Sequence, residues 1–448
     1  MFYFRNPLPC LLLAALGFGF CTLARSDEIE IEAAIGNSQL VTLVNIPRIP
    51  KMNTEGGFKS NDQKFAEKRE DVWYLLDEAQ ALFQAKKYGP ALLKLQMLDA
   101  IKGKTADENF LVHRTRAAIA AESGDNVVLA KSLDAIIATN RLTGEDQLQF
   151  IQALALLYYR LKDYSNAIAW TTRYLGEGGA DTQMRRMRTR SYYLNNEFGQ
   201  AASELRIEIE AEEAAGKKPT QIQMRLLTSA EFKAGNQEAF IDATEKYVTY
   251  YPTKEDWAEL LNHAMSNPQF DEGLALDVYR LMFKTGQFTT ATDFTDMAQL
   301  AMQAGFAAEA RQILAEGVKS DILGKGPEAA FYKNLLNVVS FRLAARARAI
   351  GKEEAEMIAA KDGGAVAHIG YVYVTDGQFD KGISLIEQGI RLGGMKHPEI
   401  ARLHLGIAKA LAGRNSDAIQ ILKSVQGTDG TAEIARYWTI YLSGLPSS

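Results

Sequence analysis

The chain has 448 residues, 47% of them apolar and 23% charged, with a formal net charge of −5. The apolar share is too high for a disordered polymer, and the length allows two or three ordinary domains or one long repeat array. The acidic balance excludes general nucleic-acid binding, which needs a basic face.

Residues 1–26 read as a secretory signal peptide. Arg5 supplies the positive start, Leu11 to Phe20 the apolar run, and Ala24-Arg25-Ser26 a small-residue cleavage box, so cleavage is expected after Ser26. The run is too short to span a bilayer, and no later stretch is long enough either. Phe18-Gly19-Phe20 ahead of Cys21 is a poor lipobox. Free export to a periplasm is therefore the reading, with a lipid anchor on Cys21 as the alternative. Both cysteines, Cys10 and Cys21, fall inside the leader. The mature chain has no disulfide and no zinc–thiolate site, and its core alone must hold it. Loss of Arg5 and Arg25 moves the net charge to −7.

Residues 27–64 differ from the rest of the chain. Ser38 to Ile46 is β-prone, and Pro47, Pro50, Gly56 and Gly57 interrupt the continuation. This segment reads as an extended arm or linker, either a loose leader or a strand offered to a partner's sheet edge.

From Phe65 the pattern becomes periodic and rich in helix formers. Amphipathic segments come in pairs joined by tight turns such as Lys86-Lys87-Tyr88, Gly124-Asp125, Lys162-Asp163-Tyr164, Asn196-Glu197-Phe198, Gly235-Asn236, Gly305-Phe306 and Gly413-Arg414. The clearest pair is residues 365–390, where Gly370, Gly382 and Gly389 stand where two helices approach and Tyr373, Phe379 and Ile386 fill the space between them. Turns recurring at about 33–39 residues mean stacked helix pairs with neighbour contacts. Residues 320–362 are the degenerate stretch, expected to hold helical pairs with an eroded motif. Residues 431–448 read as a capping helix and tail over the last repeat's open face.

The arrangement of an aromatic, small residues, a tyrosine and a G-[DQN]-[YF] turn, best kept in residues 146–175, 365–390 and 400–425, resembles the tetratricopeptide repeat, and the resemblance covers roughly residues 68–430. It implies an all-α, right-handed superhelical solenoid of about 8–10 antiparallel helix pairs over residues 65–430, with a protein-binding role and usually no catalysis.

A search for chemistry finds little. His113, His263, His368, His397 and His404 are scattered, none of them four residues from another, although His368 and His404 occupy equivalent repeat positions. There is no H-E-x-x-H, no G-x-S-x-G elbow, no P-loop and no G-x-G-x-x-G after a strand. No catalytic, metal or cofactor residue is therefore assigned, and the chain is not expected to be an enzyme. The alternative, an envelope hydrolase or glycan-processing enzyme on a superhelical scaffold, would need a carboxylate or serine site in the irregular stretch 326–361, where Glu353, Glu354 and Glu356 stand. A homotypic structural element that assembles through its own groove and the N-terminal arm is a further alternative.

In the repeat family the first helix of each pair lines the concave groove. Carried over, that places Gln152, Tyr159 and Arg160, then Arg186, Arg190 and Tyr193, then Arg225, Phe232 and Lys233 on adjacent stripes. Arginine forks bind carboxylates bidentately and aromatic rings give apolar contact at low entropic cost. Such a groove would suit an acidic protein segment or a free C-terminal carboxylate. The other reading is that residues 185–190, RRMRTR, form a soluble face whose arginines pair with Glu204, Glu208 or Glu210. The expected role is a periplasmic adaptor or scaffold for a cell-envelope complex in transport, energy transduction, secretion or polysaccharide export. Its partners would be proteins or peptides, with no nucleic acid, no transmembrane span, and membrane association only through a partner.

Overall fold

The computed structural model describes residues 63–326 and 329–445. The signal peptide, Cys10, Cys21 and the 27–64 arm, save its last two residues, lie outside them. Among the described residues there are α-helices, one 3-10 turn and no strand.

The helices follow one another in pairs: α1 (Gln63–Gln84) with α2 (Tyr88–Asp99), α3 (Ala106–Ser123) with α4 (Asn126–Ala138), α5 (Gly144–Arg160) with α6 (Tyr164–Gly176), and α7 (Thr182–Leu194) with α8 (Phe198–Ala214). The series continues with α9 (Gln221–Lys233), α10 (Gln237–Tyr250), α11 (Lys254–Ser266), α12 (Ala275–Lys284), α13 (Ala291–Gln303) and α14 (Ala307–Lys319). Then come α15 (Ala329–Ala359), α16 (Gly363–Thr375), α17 (Phe379–Leu392), α18 (Pro398–Leu411), α19 (Asn415–Leu422) and α20 (Thr431–Ser443). The architecture is an all-α solenoid of tetratricopeptide-like helix pairs.

The turn chemistry explains the pairing. A left-handed residue stands at Lys86, Gly124, Lys162, Asn196, Gly235, Gly305, Gly377 and Gly413, which stops one helix and reverses the chain. The next helix then starts on a side-chain cap where the sequence supplies one: Asp125 accepts from the Val128 amide, Asp163 from that of Asn166, and Asn236 from that of Ala239. Thr105 and Glu108 complete a reciprocal capping box at the start of α3.

The chain divides into two compact units. Unit 1 holds residues up to 211 together with 229–235, and unit 2 holds 212–228 and 236 onward. In unit 1 apolar residues at helical spacing, such as Val72, Leu76 and Ala79, pack with Ala91, Leu95 and Leu98 and with Val112 and Ile119 of the following pair. A second cluster joins Leu133, Ile136, Ile151, Leu154, Ala167 and Met184. Each pair thus closes the face its neighbour leaves open.

Unit 2 has three features of its own. First, α16 and α17 lie almost backbone to backbone: a Cβ on Gly370 would sit 2.7 Å from the Ile386 nitrogen, and one on Gly389 2.6 Å from that of Ala367. Second, the degenerate stretch holds one 31-residue helix, α15, instead of helix pairs. No turn residue with a left-handed backbone interrupts it, and its Ala, Leu and Arg content favours continuation. Third, neighbour-only stacking does not hold. Helix α20 packs on α18 and α19 as a cap should, and also on α10 and α12. Arg436 donates to Glu245, 191 positions earlier, and the Asp271 amide donates to the Asp429 carbonyl at 2.9 Å. The reason is the breadth of the apolar surface on α20. Ile434, Ala435, Tyr437, Trp438 and Leu442 are all buried, which one neighbouring pair cannot achieve.

Candidate functional site

The stripe expected from the repeat pattern falls mainly in unit 1, with Arg225 in unit 2. In unit 1, Gln152 donates to Asp181 at 2.9 Å, so it braces the start of α7, which Asp181 caps. Tyr159 is buried and meets Tyr164 edge-on at 5.7 Å. Arg160, half-buried, ends α5. Arg186 is paired with Glu208 at 2.8 Å, and Arg188 forks onto both oxygens of Glu204. The pairing of RRMRTR with acidic residues of α8 is therefore present for these two arginines. Both pairs keep some solvent contact, where such pairs contribute little and exchange partners readily. Arg190 is half-buried and makes no ion pair with a described residue.

Two members of the set do meet. The Lys233 ammonium lies 4.6 Å from the Tyr193 ring centre and 5.2 Å from that of Phe198. The Tyr193 hydroxyl shares a 2.7 Å hydrogen bond with Ser229. Phe232, beside Lys233, is 52% exposed. The pattern recurs at helix ends: Tyr159 with Arg160 on α5, Arg190 with Tyr193 on α7, and Phe232 with Lys233 on α9. For Arg160 and Lys233, which lie in the last turns of α5 and α9, the negative end of the helix dipole favours the cation and accounts for its placement without reference to a ligand. In unit 2, Arg225 forks onto Asp256 at 2.9 and 3.2 Å and stacks on Tyr247, 4.2 Å from the ring centre.

The glutamates offered for hydrolysis each face a cation. Glu353 accepts from Arg346 at 2.9 Å, Glu354 from Lys381 at 2.7 Å and from the Tyr373 hydroxyl at 2.6 Å, and Glu356 lies 3.7 Å from Lys352. Burial raises the Glu354 carboxyl, but the hydrogen bonds from Lys381 and Tyr373 outweigh it, and the net shift is below the ordinary value. A carboxylate held ionised in this way is a poor general acid. Elsewhere, ligand atoms of Asp271, His397 and Asp429 gather within 4.8 Å of one another. Both carboxylates there already accept backbone amides, from Gly273 and Thr431. The trio joins the loops on which α20 closes back.

The most enclosed polar cluster lies in unit 2, where α12, α14, α16 and α18 meet. Arg280 is 5% exposed. It donates to Glu309 through Nε and Nη2, both at 2.7 Å, and to Asp277 at 2.5 Å. Its plane also lies 4.8 Å from the Tyr371 ring centre and 5.4 Å from that of Phe306. Burial alone would raise Asp277, but the charges of His404 and Arg280 and their hydrogen bonds prevail and hold it below its ordinary range. For Arg280 burial pulls down, while Glu309 above all raises it further. Two carboxylates take three of the five guanidinium N–H donors and balance its charge, so it acts as a strut between helices. The Tyr371 hydroxyl finds no partner among the described residues, and burial raises its pKa. His368, on the rim, retains exposure and rests on Phe306 at 5.2 Å. Loss of hydration among these rings, then the charges of His404 and Arg346, pull it down to about 4.

Sequence reasoning placed His368 and His404 at matching repeat positions and did not connect them to Asp277 or Arg280. The available signal was a charged pair three residues apart on α12, set among the apolar Leu276, Val278 and Leu281.

No protein-family model matches the chain, and no curated protein matches it. Among solved structures it is similar to yeast Tom70, at 11% identity and a TM-score of 0.19, covering 82% of this chain and 94% of that one. It is also similar to a Naa15/Naa10 complex bound to HypK-THB, at 12% identity and a TM-score of 0.28, covering 92% of this chain and 69% of that one. Scores this low carry no weight for function; the fold stands on the helix pairs and turns themselves.

Proposed function

We propose that this chain is an interaction scaffold of a cell envelope, exported by its N-terminal leader, that holds acidic or carboxylate-bearing protein segments along the ends of the first helices of unit 1. What supports this is the Lys233 ammonium set over the Tyr193 and Phe198 rings, with Phe232 and Lys233 exposed. Arg186 adds a guanidinium whose half-exposed pair with Glu208 is cheap to exchange for a ligand carboxylate.

The test is site-specific photo-crosslinking in the native envelope, with the crosslinker at position 190 or 233, and at the exposed Leu93 of α2 as control. Adducts with the same partner at 190 and 233, absent at 93 and lost on Arg186→Glu with Lys233→Glu, would support the site. Equal adducts at all three positions would remove it. Fractionation of cells tests export separately: full-length protein retained in the cytoplasm would end the envelope reading.

A further inference from the structure

Helix α15 combines two properties. From Ala329 to Lys352 it carries Lys333, Arg342, Arg346, Arg348 and Lys352 and not one carboxylate, in a chain of net charge −5. Its outer side also exposes large apolar groups: Phe341 is 74% exposed, Val338 50% and Phe331 46%. Spacings of seven and three residues put these three on one stripe, which the exposed Ala345 continues. Arg342 and Arg348, both exposed, flank the stripe on opposite edges, and neither pairs with a described residue.

The opposite side of the helix is anchored. Val339 is fully buried. Ile350, Met357 and Ile358 pack against Val366, Ile369 and Tyr373 of α16. The bonds of Arg346 to Glu353 and of Glu354 to Lys381 fix the second half of the helix. The stripe is therefore presented on a fixed support.

We propose that this face of α15 docks on an anionic lipid surface. Phe331 to Arg348 is a straight line of about 25 Å at the helical rise of 1.5 Å per residue. A line of apolar side chains with cations on both edges suits the boundary between headgroups and acyl chains. The rings enter below, and the long arginine stems reach up to the phosphates. The absence of carboxylates leaves nothing to be repelled by an anionic headgroup. Arg342 and Arg348 border the line around Phe341 and Ala345, where an anionic surface would meet both cations. No helix among the described residues is long and apolar enough to cross a membrane, so the contact is peripheral. It departs from the expectation that membrane association requires a partner, and it is independent of the unit 1 site.

The test is co-sedimentation of the full-length mature chain with phosphatidylcholine vesicles, and with vesicles containing phosphatidylglycerol, at low and high salt. Three apolar side chains insert weakly alone, so preference for the anionic vesicles should be at least about tenfold at low salt and should fade as salt screens the arginines. Phe341→Ser, and separately Arg342→Glu with Arg348→Glu, should each abolish binding with helix content unchanged by circular dichroism. Arg342→Lys with Arg348→Lys should retain it. Equal binding to both vesicle types, or binding unchanged in the Ser and Glu variants, would overturn the proposal. So would self-association of the wild type that Phe341→Ser dissolves, which would assign the stripe to a second copy. Binding of poly-glutamate without vesicle binding would assign it to an acidic protein and equally overturn it.

Discussion

The Nε2 atom of His404 lies 3.1 Å from Oδ2 of Asp277, 127 positions earlier in the chain. Because Asp277 is buried and held ionised, it can only accept, so the imidazole donates from Nε2. This bond ties α18 to α12, and Arg280 carries the tie on to Glu309 of α14.

Removing one member of this cluster strands the others. Arg280→Leu leaves Asp277 and Glu309 without their shared cation and should cost about 3–5 kcal/mol. Arg186→Leu, which breaks a half-exposed pair, should stay within about 1 kcal/mol. Urea denaturation midpoints of the two variants compare them directly, and equal losses would contradict the burial argument.

His368 makes stability depend on pH with a definite sign. Its folded-state pKa, near 4, lies below the ordinary 6.5, so at pH between these values the unfolded chain binds the proton that the folded chain refuses. Stability from this group is therefore complete above about pH 6.5 and falls as pH drops toward 4. Its exposed edge reduces the size of the effect. His368→Asn should flatten the slope of stability against pH in that window, measured by thermal melts from pH 4 to 7.

The glycines at helix contacts differ in what they face. A methyl at Gly370 would meet the backbone of Ile386 and Gly382, so Gly370→Ala must push two helices apart, at a cost of about 3 kcal/mol. At Gly406 the methyl meets no backbone, only Cδ2 and Cγ of the buried Leu422, both 2.6 Å away. That side chain must repack, but the helix gains about 1 kcal/mol from Ala over Gly, so Gly406→Ala should cost clearly less than Gly370→Ala. Calorimetric melting of the two variants checks the contrast.

Lys162 holds a left-handed backbone at φ 60° in the turn between α5 and α6, with its side chain exposed. A non-glycine residue there costs about 1–2 kcal/mol, partly offset by the greater entropy glycine loses on folding. Lys162→Gly should therefore raise stability by up to about 1 kcal/mol, and Gly124→Ala, at the equivalent turn, should lower it by a similar amount. Chemical denaturation of both variants tests this.

The helix pairs, their turns and the close approach of Gly370 to α17 were readable because each depends on residues a few positions apart. Hydrophobic spacing sets a helix face, a left-handed residue sets a stop, and an Asp or Asn sets the next start. The same locality misled at residues 320–362. An eroded repeat motif looked like broken pairs, yet Gly351 stays helical and no residue between Ala329 and Ala359 takes a left-handed backbone, so a single helix resulted.

The candidate stripe was readable in position and not in partners. Helical spacing placed Arg186, Arg190 and Tyr193 on α7, but whether a guanidinium meets Glu208 or solvent depends on how α8 packs beside it. Sequence by itself determined an all-α chain of stacked pairs and the basic, carboxylate-free character of residues 329–352. Tertiary structure decided that α20 returns to α10, that Arg280 is sealed between two carboxylates, and that Phe331, Val338 and Phe341 remain outside. The physical reason is range: helix formation is satisfied within a turn or two, whereas the burial of a charge or a ring is settled by partners on other helices, 29 positions away for Arg280 with Glu309 and 191 for Arg436 with Glu245.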